Sequence, residues 1–586
     1  MSTSPPSGAH EVGPLADLRG EGHRVVRVDG RAILVVHHDD EVFAVDNRCP
    51  HMGFPLARGT VDDGVLTCHW HHARFALSCG DTFDPWADDV PSYPVSVVDG
   101  VVYVDPHPER DRPPEERWAD RLDDGLERDL RLVVAKSVIG LLDAGVPPAE
   151  PVERGVLFGV RYRADGWGPG LTILAAMANV LPDLSTEDRK RALYQGLVEV
   201  AGDCAGEPPR FEQDAFEDRS ISRERLRTWL RDTVEVRDSD GTERCLRTAI
   251  AAGYSPQALA GLLLTAATDH RYLDGGHTID FVNKACEALD HVGWEHADAV
   301  LPALVTSLTD ATRSEELSSW RQPVDLAARL DETFDRLDDL VAEGSGKAWE
   351  EPEAFVETLC ADDHERVVGA LENAVAAGAT PKQLASAVAM AAATRVARFS
   401  TANEFSDWNT VHHTFTYANA VHALAERVSE AGHAVDEAVY RAVFDGAVNV
   451  YLDRFLNSPP APIPDLQQST ESVDALLDAL DDTMDREGGV DEAGRVAASV
   501  FDAGGDPEVV KERLGAALVR EDAGFHTFQA LEAGFAQADR REDWETRTCL
   551  VAVARYLAAH APTRREREQT FTIAARLHRG ETIHGE

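Results

Sequence analysis

The N-terminal part of this chain alternates between short apolar runs and polar turns, as antiparallel strands do. The runs include HRVVRV, AILVVHH, EVFAV and VVYVD. Asp-Gly pairs lie between runs, at Asp29-Gly30, Asp63-Gly64 and Asp99-Gly100. Such pairs between β-branched runs favour two-residue hairpin turns. Residues 11–105 are therefore predicted to form an all-β domain of antiparallel sheets.

The pattern changes after a segment that is rich in proline and charge. Residues 106–126 are predicted to be a linker that leads into a helix near Trp118. From residue 127 onward, alanine and leucine recur at helical spacing, as in LRLVVAKSVIGLLDAG. The predicted fold class is therefore multidomain, with a small all-β domain followed by a large all-α domain.

Four stretches of the helical part share the pattern Ala-Gly-x-x-Pro after an apolar helix. They lie at residues 141–148, 249–256, 374–381 and 500–507. The glycine suits the left-handed end of a helix, and the proline suits the first turn of the next one. Ser255, Thr380 and Asp506 are good N-caps before three of the prolines, whereas the first copy has Pro147 in that place. Each copy is predicted to be a helix, a tight turn and a second helix.

A second motif occurs in step with the first. GHTIDF (276–281), HHTFTY (412–417) and FHTFQA (525–530) align with one another, and GLTILA (170–175) is a version without histidine. Self-similarity of this kind indicates duplication. We predict about four degenerate helical repeats. The first three lie within residues 127–455 and the fourth within 471–586, with a linker at 456–470.

Charge narrows the range of partners and compartments. The 586 residues include 103 acidic and 57 basic side chains, for a formal net charge of −46, and six of the basic residues are lysines. Because phosphate binding needs clustered positive charge, neither nucleic acid nor an anionic membrane is an expected partner. No apolar run approaches the ~20 residues of a membrane span, and the N-terminus lacks a secretory signal pattern, so a cytoplasmic location is predicted. The excess of carboxylates is typical of halophilic, haloarchaeal proteins, in which salt screens the repulsion.

Cysteine and histidine pairs are concentrated at one place. Cys49-Pro50-His51 is followed, after 16 intervening residues, by Cys68-x-x-His71. The Asp-Gly turn between them predicts a hairpin that brings the two loops side by side. Two sulfur and two nitrogen ligands suit either zinc or an iron–sulfur cluster.

The pairing of Cys-x-His with Cys-x-x-His resembles the ligand loops of ferredoxin-type Rieske domains, as do CHWHHARFALSCG and YPVSVVDGVVYV. The resemblance implies one [2Fe-2S] cluster per chain, in which Cys49 and Cys68 ligate one iron and His51 and His71 ligate the other. Neutral histidines in place of thiolates raise the potential above that of all-cysteine ferredoxins. The additional disulfide cysteines of Rieske proteins from quinol oxidoreductases are missing from these loops, so a disulfide-free site is expected.

The helical part offers its own candidate residues. His277, His413 and His526 occupy equivalent places in three predicted repeats, and Asn283 and Asn419 each follow a histidine by six residues. If the repeats pack around a common centre, these side chains line one pocket for a substrate or a second metal. If the repeats stack as an open solenoid, the histidines are too far apart to share an ion. The three histidines are the candidate catalytic, pocket-lining residues.

Two functions from different classes fit this sequence. In the first, the protein is an oxidoreductase whose cluster passes single electrons to a helical domain that binds a small organic substrate, as a monooxygenase or oxidase would. The helical motifs are similar to questin-oxidase-like proteins, which implies an aromatic or polyketide-like substrate. In the second, the protein is a ferredoxin fused to a non-catalytic helical scaffold that docks a partner. Because no Gly-rich dinucleotide fingerprint is present, an external reductase or ferredoxin is the expected electron donor.

Overall fold

The computed structural model describes residues 7–109, 112–218, 220–429, 433–463 and 471–581. The chain divides into two compact units. One contains the chain up to Pro147 together with the residues from Gln569 onward, and the other is Pro148–Glu568. All strands of the described residues lie in the first unit, and the second is helical, which confirms the predicted fold class. The predicted linker at 456–470 lies partly outside the described residues.

Nine strands of the described residues form three antiparallel sheets with the orders β1-β9-β8, β2-β3-β4 and β5-β6-β7. Both residues of each predicted Asp-Gly turn have positive φ angles, between 47° and 80°, so the predicted hairpin turns are confirmed. The strands are β1 (His10–Pro14), β2 (His23–Val28), β3 (Arg31–His38), β4 (Glu41–Asp46), β5 (Thr60–Asp62), β6 (Val65–Thr67), β7 (Arg74–Ala76), β8 (Val95–Val98) and β9 (Val101–Val104).

Strand β3 is buried on both faces, which explains its continuous apolar run. Ile33 and Val35 belong to one hydrophobic cluster, which also contains residues of β1 and β9. Leu34 and Val36 belong to a second cluster, which contains both cysteines of the predicted ligand loops. Because successive side chains of a strand point to opposite faces, β3 is the partition between the two cores.

The helices of the described residues, in chain order, are α1 (Leu15–Glu21), α2 (Pro114–Glu127), α3 (Arg131–Asp143), α4 (Ala149–Arg161), α5 (Pro169–Val180), α6 (Thr186–Cys204), α7 (Arg223–Glu235), α8 (Ser239–Ala251), α9 (Pro256–Ala267), α10 (His277–Val292), α11 (Ala297–Val300), α12 (Val305–Thr309), α13 (Ser318–Arg321), α14 (Leu326–Phe334), α15 (Leu337–Gly344), α16 (Phe355–Leu359), α17 (His364–Ala376), α18 (Pro381–Ala397), α19 (Asp407–Arg427), α20 (His433–Leu452), α21 (Val473–Met484), α22 (Val490–Asp502), α23 (Pro507–Val519), α24 (Phe525–Asp539), α25 (Asp543–His560) and α26 (Glu566–His578). Among them we find none whose length and apolar character would let it cross a bilayer.

The tight turns at the four Ala-Gly-x-x-Pro stretches have the predicted caps. The four glycines have left-handed φ angles between 75° and 95°. Ser255, Thr380 and Asp506 each accept a hydrogen bond from a backbone amide of the following helix. In the first copy the N-cap is Pro148, which makes no side-chain cap, as the departure in sequence implies.

Helices α5, α10, α19 and α24 contain the four versions of the second motif and pack around a common centre. Helix α5 contacts α10 and α24, and α19 also contacts both of these helices. The four helices therefore form a closed ring. Equivalent positions of the four helices therefore face one axis. This arrangement is the closed alternative of the two considered from the sequence.

In the first unit, α2 and α3 pack against each other at a glycine. Helix α2 occupies Pro114–Glu127, within the segment predicted to be a linker, and it includes Trp118, near which a helix was expected. A Cβ atom added at Gly140 of α3 would lie 2.3 Å from the Trp118 indole. Only glycine permits this close approach.

We predict that Gly140→Ala lowers the free energy of unfolding of the first unit by about 1–3 kcal/mol, because the added methyl group overpacks the contact with Trp118. Urea denaturation followed by tryptophan fluorescence measures the change. Gly20→Ala in α1 is the control, because its Cβ would meet nothing within 4 Å and alanine favours helix. Equal stability of Gly140→Ala and the wild type would contradict the packing described for this contact.

Candidate functional site

The first predicted ligand loop begins at Cys49 and closes on itself through two backbone hydrogen bonds. The Cys49 amide donates to the carbonyl oxygen of Phe54 at 2.9 Å, and the Gly53 amide donates back to the carbonyl oxygen of Cys49 at 2.7 Å. Inside the loop, the backbone amides of His51 and Met52 donate to the Cys49 sulfur. Amides directed at a sulfur stabilise negative charge on it.

The second loop begins at Cys68 and repeats this pattern. The Cys68 amide donates to the carbonyl oxygen of Ala73 at 2.8 Å, and the His72 amide donates to that of Cys68 at 3.0 Å. The backbone amides of Trp70 and His71 donate to the Cys68 sulfur. The two cysteines therefore stand in matching backbone environments, although the loops differ in sequence.

The fourth residue after each cysteine adopts the left-handed conformation. Gly53 has a φ of 79° and His72 a φ of 64°. Glycine takes this conformation without strain, whereas a histidine adopts it at a cost of about 1–2 kcal/mol. The predicted imidazole ligand is the second residue after the cysteine in one loop and the third in the other, so the two rings enter the site from different places.

The four predicted ligands come together in this structure. The two thiols contact each other, which raises the pKa of Cys49 and lowers that of Cys68 to about 6. The rings of His51 and His71 lie 4.9 Å apart between centroids. Burial lowers the pKa of His51 to about 4, so this imidazole is neutral at physiological pH, as a metal ligand must be.

This donor set fits an iron–sulfur cluster with mixed ligands. Two soft sulfur donors lie beside two imidazoles, with backbone amides already directed at the sulfurs. All eight cysteines of the chain are free, including Cys49 and Cys68. Both cysteines of the loops are therefore available as thiolate ligands.

A buried cation that sequence reasoning missed contacts the back of the first loop. The Lys136 ammonium of α3 donates to the carbonyl oxygens of Pro50 and His51 at 2.6 and 3.1 Å, and lies 3.3 Å from Asp88 Oδ2. Asp88 also accepts a hydrogen bond from Arg121 of α2 at 2.8 Å. Burial works to raise the pKa of Asp88, but these two cations outweigh it and hold that pKa below its ordinary value. The one signal in the sequence was a lysine inside an apolar helical run.

In the second unit the three predicted histidines converge. His277 is the first residue of α10, His526 is the second residue of α24, and His413 lies in the second turn of α19. Each offers one ring nitrogen, and these three nitrogens lie within 4.8 Å of one another. The Nε2 atoms of His413 and His526 are 2.8 Å apart. The closed ring of helices is what brings them to one point.

The imidazoles of this histidine triad (His277, His413 and His526) are held neutral by burial. Burial lowers the pKa of His413 to about 3 and that of His526 to about 4, and it lowers the pKa of His277 as well. The rings of Phe281 and Phe525 each lie 5.6 Å from the His277 ring between centroids. The triad therefore offers neutral imidazole nitrogens, which can act as metal ligands, next to two apolar aromatic rings.

A layer of buried polar groups lies next to the triad. The His412 ring is 5.1 Å from the His526 ring, and its Nε2 lies 3.5 Å from the side-chain oxygen of Gln529. Gln529 donates a hydrogen bond to Asp280, which is fully buried, and burial raises the pKa of Asp280 to about 7. Among the residues that the structure describes, His412 Nδ1 and Asp280 Oδ1 have no hydrogen-bond partner. No motif or spacing in the sequence singles out Gln529 or Asp280.

The asparagines that were predicted beside the histidines pair elsewhere in the core. Asn283 donates to Glu287 at 2.7 Å, and Asn419 accepts a hydrogen bond from Gln537 at 2.7 Å. Both are buried. The described hydrogen bond of Asn283 lies within α10, and that of Asn419 connects α19 to α24. Neither bond reaches the triad.

Residues 8–94 match the family model of the Rieske [2Fe-2S] domain. Apoptosis-inducing factor 3 of Homo sapiens is 35% identical over 91 residues, which are 15% of this chain and 15% of that protein. The chain thus spans about 15% of the length of that relative. The 3-phenylpropionate/cinnamic acid dioxygenase ferredoxin subunit of Photorhabdus laumondii subsp. laumondii is 38% identical over 74 residues, which are 12% of this chain and 70% of that subunit. Among solved structures, the ferredoxin of carbazole 1,9a-dioxygenase from Nocardioides aromaticivorans IC177 is 28% identical, with 17% of this chain and 100% of that chain covered and a TM-score of 0.17.

We predict that Gly53→Ala lowers the amount of iron and inorganic sulfide bound per chain. The left-handed φ of 79° is strained for alanine, and the new Cβ would lie 3.3 Å from Leu577 Cδ2. His72→Gly is the matched variant, because it removes strain at the equivalent place of the second loop and is expected to bind as much iron as the wild type. Full iron and sulfide in Gly53→Ala would contradict the requirement for glycine.

Proposed function

The chain belongs to the Rieske [2Fe-2S] domain family through residues 8–94, and from this premise we propose that Cys49 and Cys68 hold one iron of the cluster and His51 and His71 hold the other. When bound, the cluster supplies one electron at a time. The protein supplies the amides that stabilise charge on the two sulfurs and the burial that keeps His51 neutral.

In the helical unit, His277, His413 and His526 bind one transition-metal ion. Nitrogens about 2.1 Å from one tetrahedral metal lie about 3.4 Å apart, so nitrogens already within 4.8 Å of one another need only small ring rotations. Imidazole suits first-row metals, and three protein ligands leave open positions of the kind that catalytic metal sites use.

The protein as a whole is an oxidoreductase of the monooxygenase type, in which single electrons from the cluster reach the helical unit and dioxygen is the oxidant. Two electrons and two protons reduce one oxygen atom to water, and the other oxygen atom enters a small organic substrate. An iron at the triad suits a one-electron donor better than redox-inactive zinc. The electrons come from an external reductase or ferredoxin. The ferredoxin subunit of a dioxygenase among the relatives supports an electron-transfer role of the first unit.

One observation favours this function over a non-catalytic scaffold. Three histidines from separate helices converge on one half-buried point, with two phenylalanine rings beside them. A helical scaffold that only docks a partner has no need to bring three imidazoles together in this way, because withdrawing polar groups from water costs free energy.

We predict that the protein, purified anaerobically, binds one metal ion beyond the two irons of its cluster, and that His413→Ala loses this ion while keeping the cluster. Metal and sulfide analysis measures both. His291→Ala is the matched control, because His291 lies on α10 but is exposed and hydrogen-bonds Asn179. A wild-type protein with the cluster irons alone, or a third ion that persists in His413→Ala, would exclude the triad as the site.

We predict that His71→Cys moves the paramagnetic resonance signal of the reduced protein away from the two-histidine type and toward that of thiolate-ligated ferredoxins, or abolishes the cluster, because a thiolate replaces one of the two imidazoles. His72→Asn is the control, since asparagine tolerates the left-handed conformation next to the ligand. An unchanged signal in His71→Cys would show that His71 is not a ligand.

A further inference from the structure

Lys136 is a buried cation of the cluster-bearing unit that lies outside the residues matching the family. It belongs to α3, beyond residue 94, and its side chain is 5% exposed. An ammonium group has three donor hydrogens, and Lys136 has three acceptors around it: the carbonyl oxygens of Pro50 and His51 and the carboxylate of Asp88. The position of this charge relative to the first loop is therefore fixed.

Lys136 is the most buried member of a group of ion pairs. Asp88 is shared between Lys136 and Arg121. Arg121 also pairs with Asp124, which is more exposed, at 2.7 Å. The Lys136 ammonium is itself buried, where a charge acts on its neighbours with little screening by solvent. Of the two cations, Lys136 is the one that donates to the backbone of the proposed ligand His51.

We propose that Lys136 raises the reduction potential of the cluster and so makes the first unit a better electron acceptor. Reduction adds one electron, which comes from the external donor, and no bond is formed or broken in that step. A fixed positive charge next to the ligand loop stabilises the more negative, reduced state. Asp88 opposes Lys136, since its negative charge lies in the same group. This inference rests on the ligands proposed above.

The test uses the full-length protein with its cluster and compares two substitutions of opposite sign. Lys136→Met removes the positive charge but keeps an unbranched apolar stem, and it is expected to lower the midpoint potential. Asp88→Asn removes the opposing negative charge and is expected to raise it. A redox titration followed by paramagnetic resonance or visible absorbance measures both. The expected change in each case is about tenfold in the reduction equilibrium, which is 59 mV for a one-electron couple.

Lys382→Met is the matched control, because it is the same chemical change at an exposed position of the other unit. The cluster of this variant is expected to have the same midpoint potential as that of the wild type. Potentials that do not move, or that move in the same direction in Lys136→Met and Asp88→Asn, would overturn the proposal and leave Lys136 a purely structural contact. If Lys136→Met loses its cluster, Asp88→Asn decides, since an unchanged or lower potential in that variant also overturns the proposal. A failure of the ligand assignment is visible separately, as a wild-type spectrum that is not of the mixed-ligand type.

Discussion

The closed packing of α5, α10, α19 and α24 is the constraint on which the chemistry of the helical unit depends. Equivalent positions of the four helices face one axis. A polar side chain at such a position therefore finds its hydrogen-bond or ion-pair partners among the other side chains around that axis. Three histidines meet at one level, and Asp280 and Gln529 meet next to them. Further along, Lys284 lies 2.8 Å from Glu287 and 2.6 Å from Glu532. A polar core is costly unless its groups are paired, so its persistence through several layers indicates a function.

Buried lysines are paired with carboxylates in both units. Four of the six lysines are buried, and each of them pairs with at least one carboxylate: Lys136, Lys190, Lys284 and Lys511. The surface of this acidic chain has little lysine, whereas the interior keeps it where a compact ammonium with three donors can serve several acceptors. The predicted adaptation to high salt is compatible with this distribution and stays a prediction.

Features with a local physical cause could be predicted from the sequence. Asp-Gly turns, left-handed helix ends and side-chain caps depend on a few adjacent residues, and the structure has them where the sequence indicated. The convergence of His277, His413 and His526 was also within reach, because the predicted repeats would place equivalent residues at equivalent positions of a ring. Whether the ring closes depends on side-chain packing between helices that are far apart in sequence, and periodicity does not encode that.

Long-range pairings were beyond sequence reasoning for the same reason. Nothing in the residues near Lys136 indicates that its partner is Asp88, 48 positions earlier. The segment around Trp118 was predicted mainly as a linker because proline and charge dominate its start, yet its second half forms α2 and packs on Gly140. Asp280 and Gln529 could not be predicted as site residues, because each is a polar residue in an amphipathic helix, and polar side chains of such helices are usually exposed to solvent.

The proposed chemistry needs two metal centres in one chain, a cluster held by the loops of Cys49 and Cys68 and an iron held by the histidine triad. Anomalous diffraction at the iron absorption edge, from crystals of the anaerobically purified protein, tests this most directly. We expect one region of anomalous density between the loops of Cys49 and Cys68 and a separate peak bonded to His277, His413 and His526. Density at the loops with none at the three imidazoles would contradict the second centre, and density at neither place would contradict both.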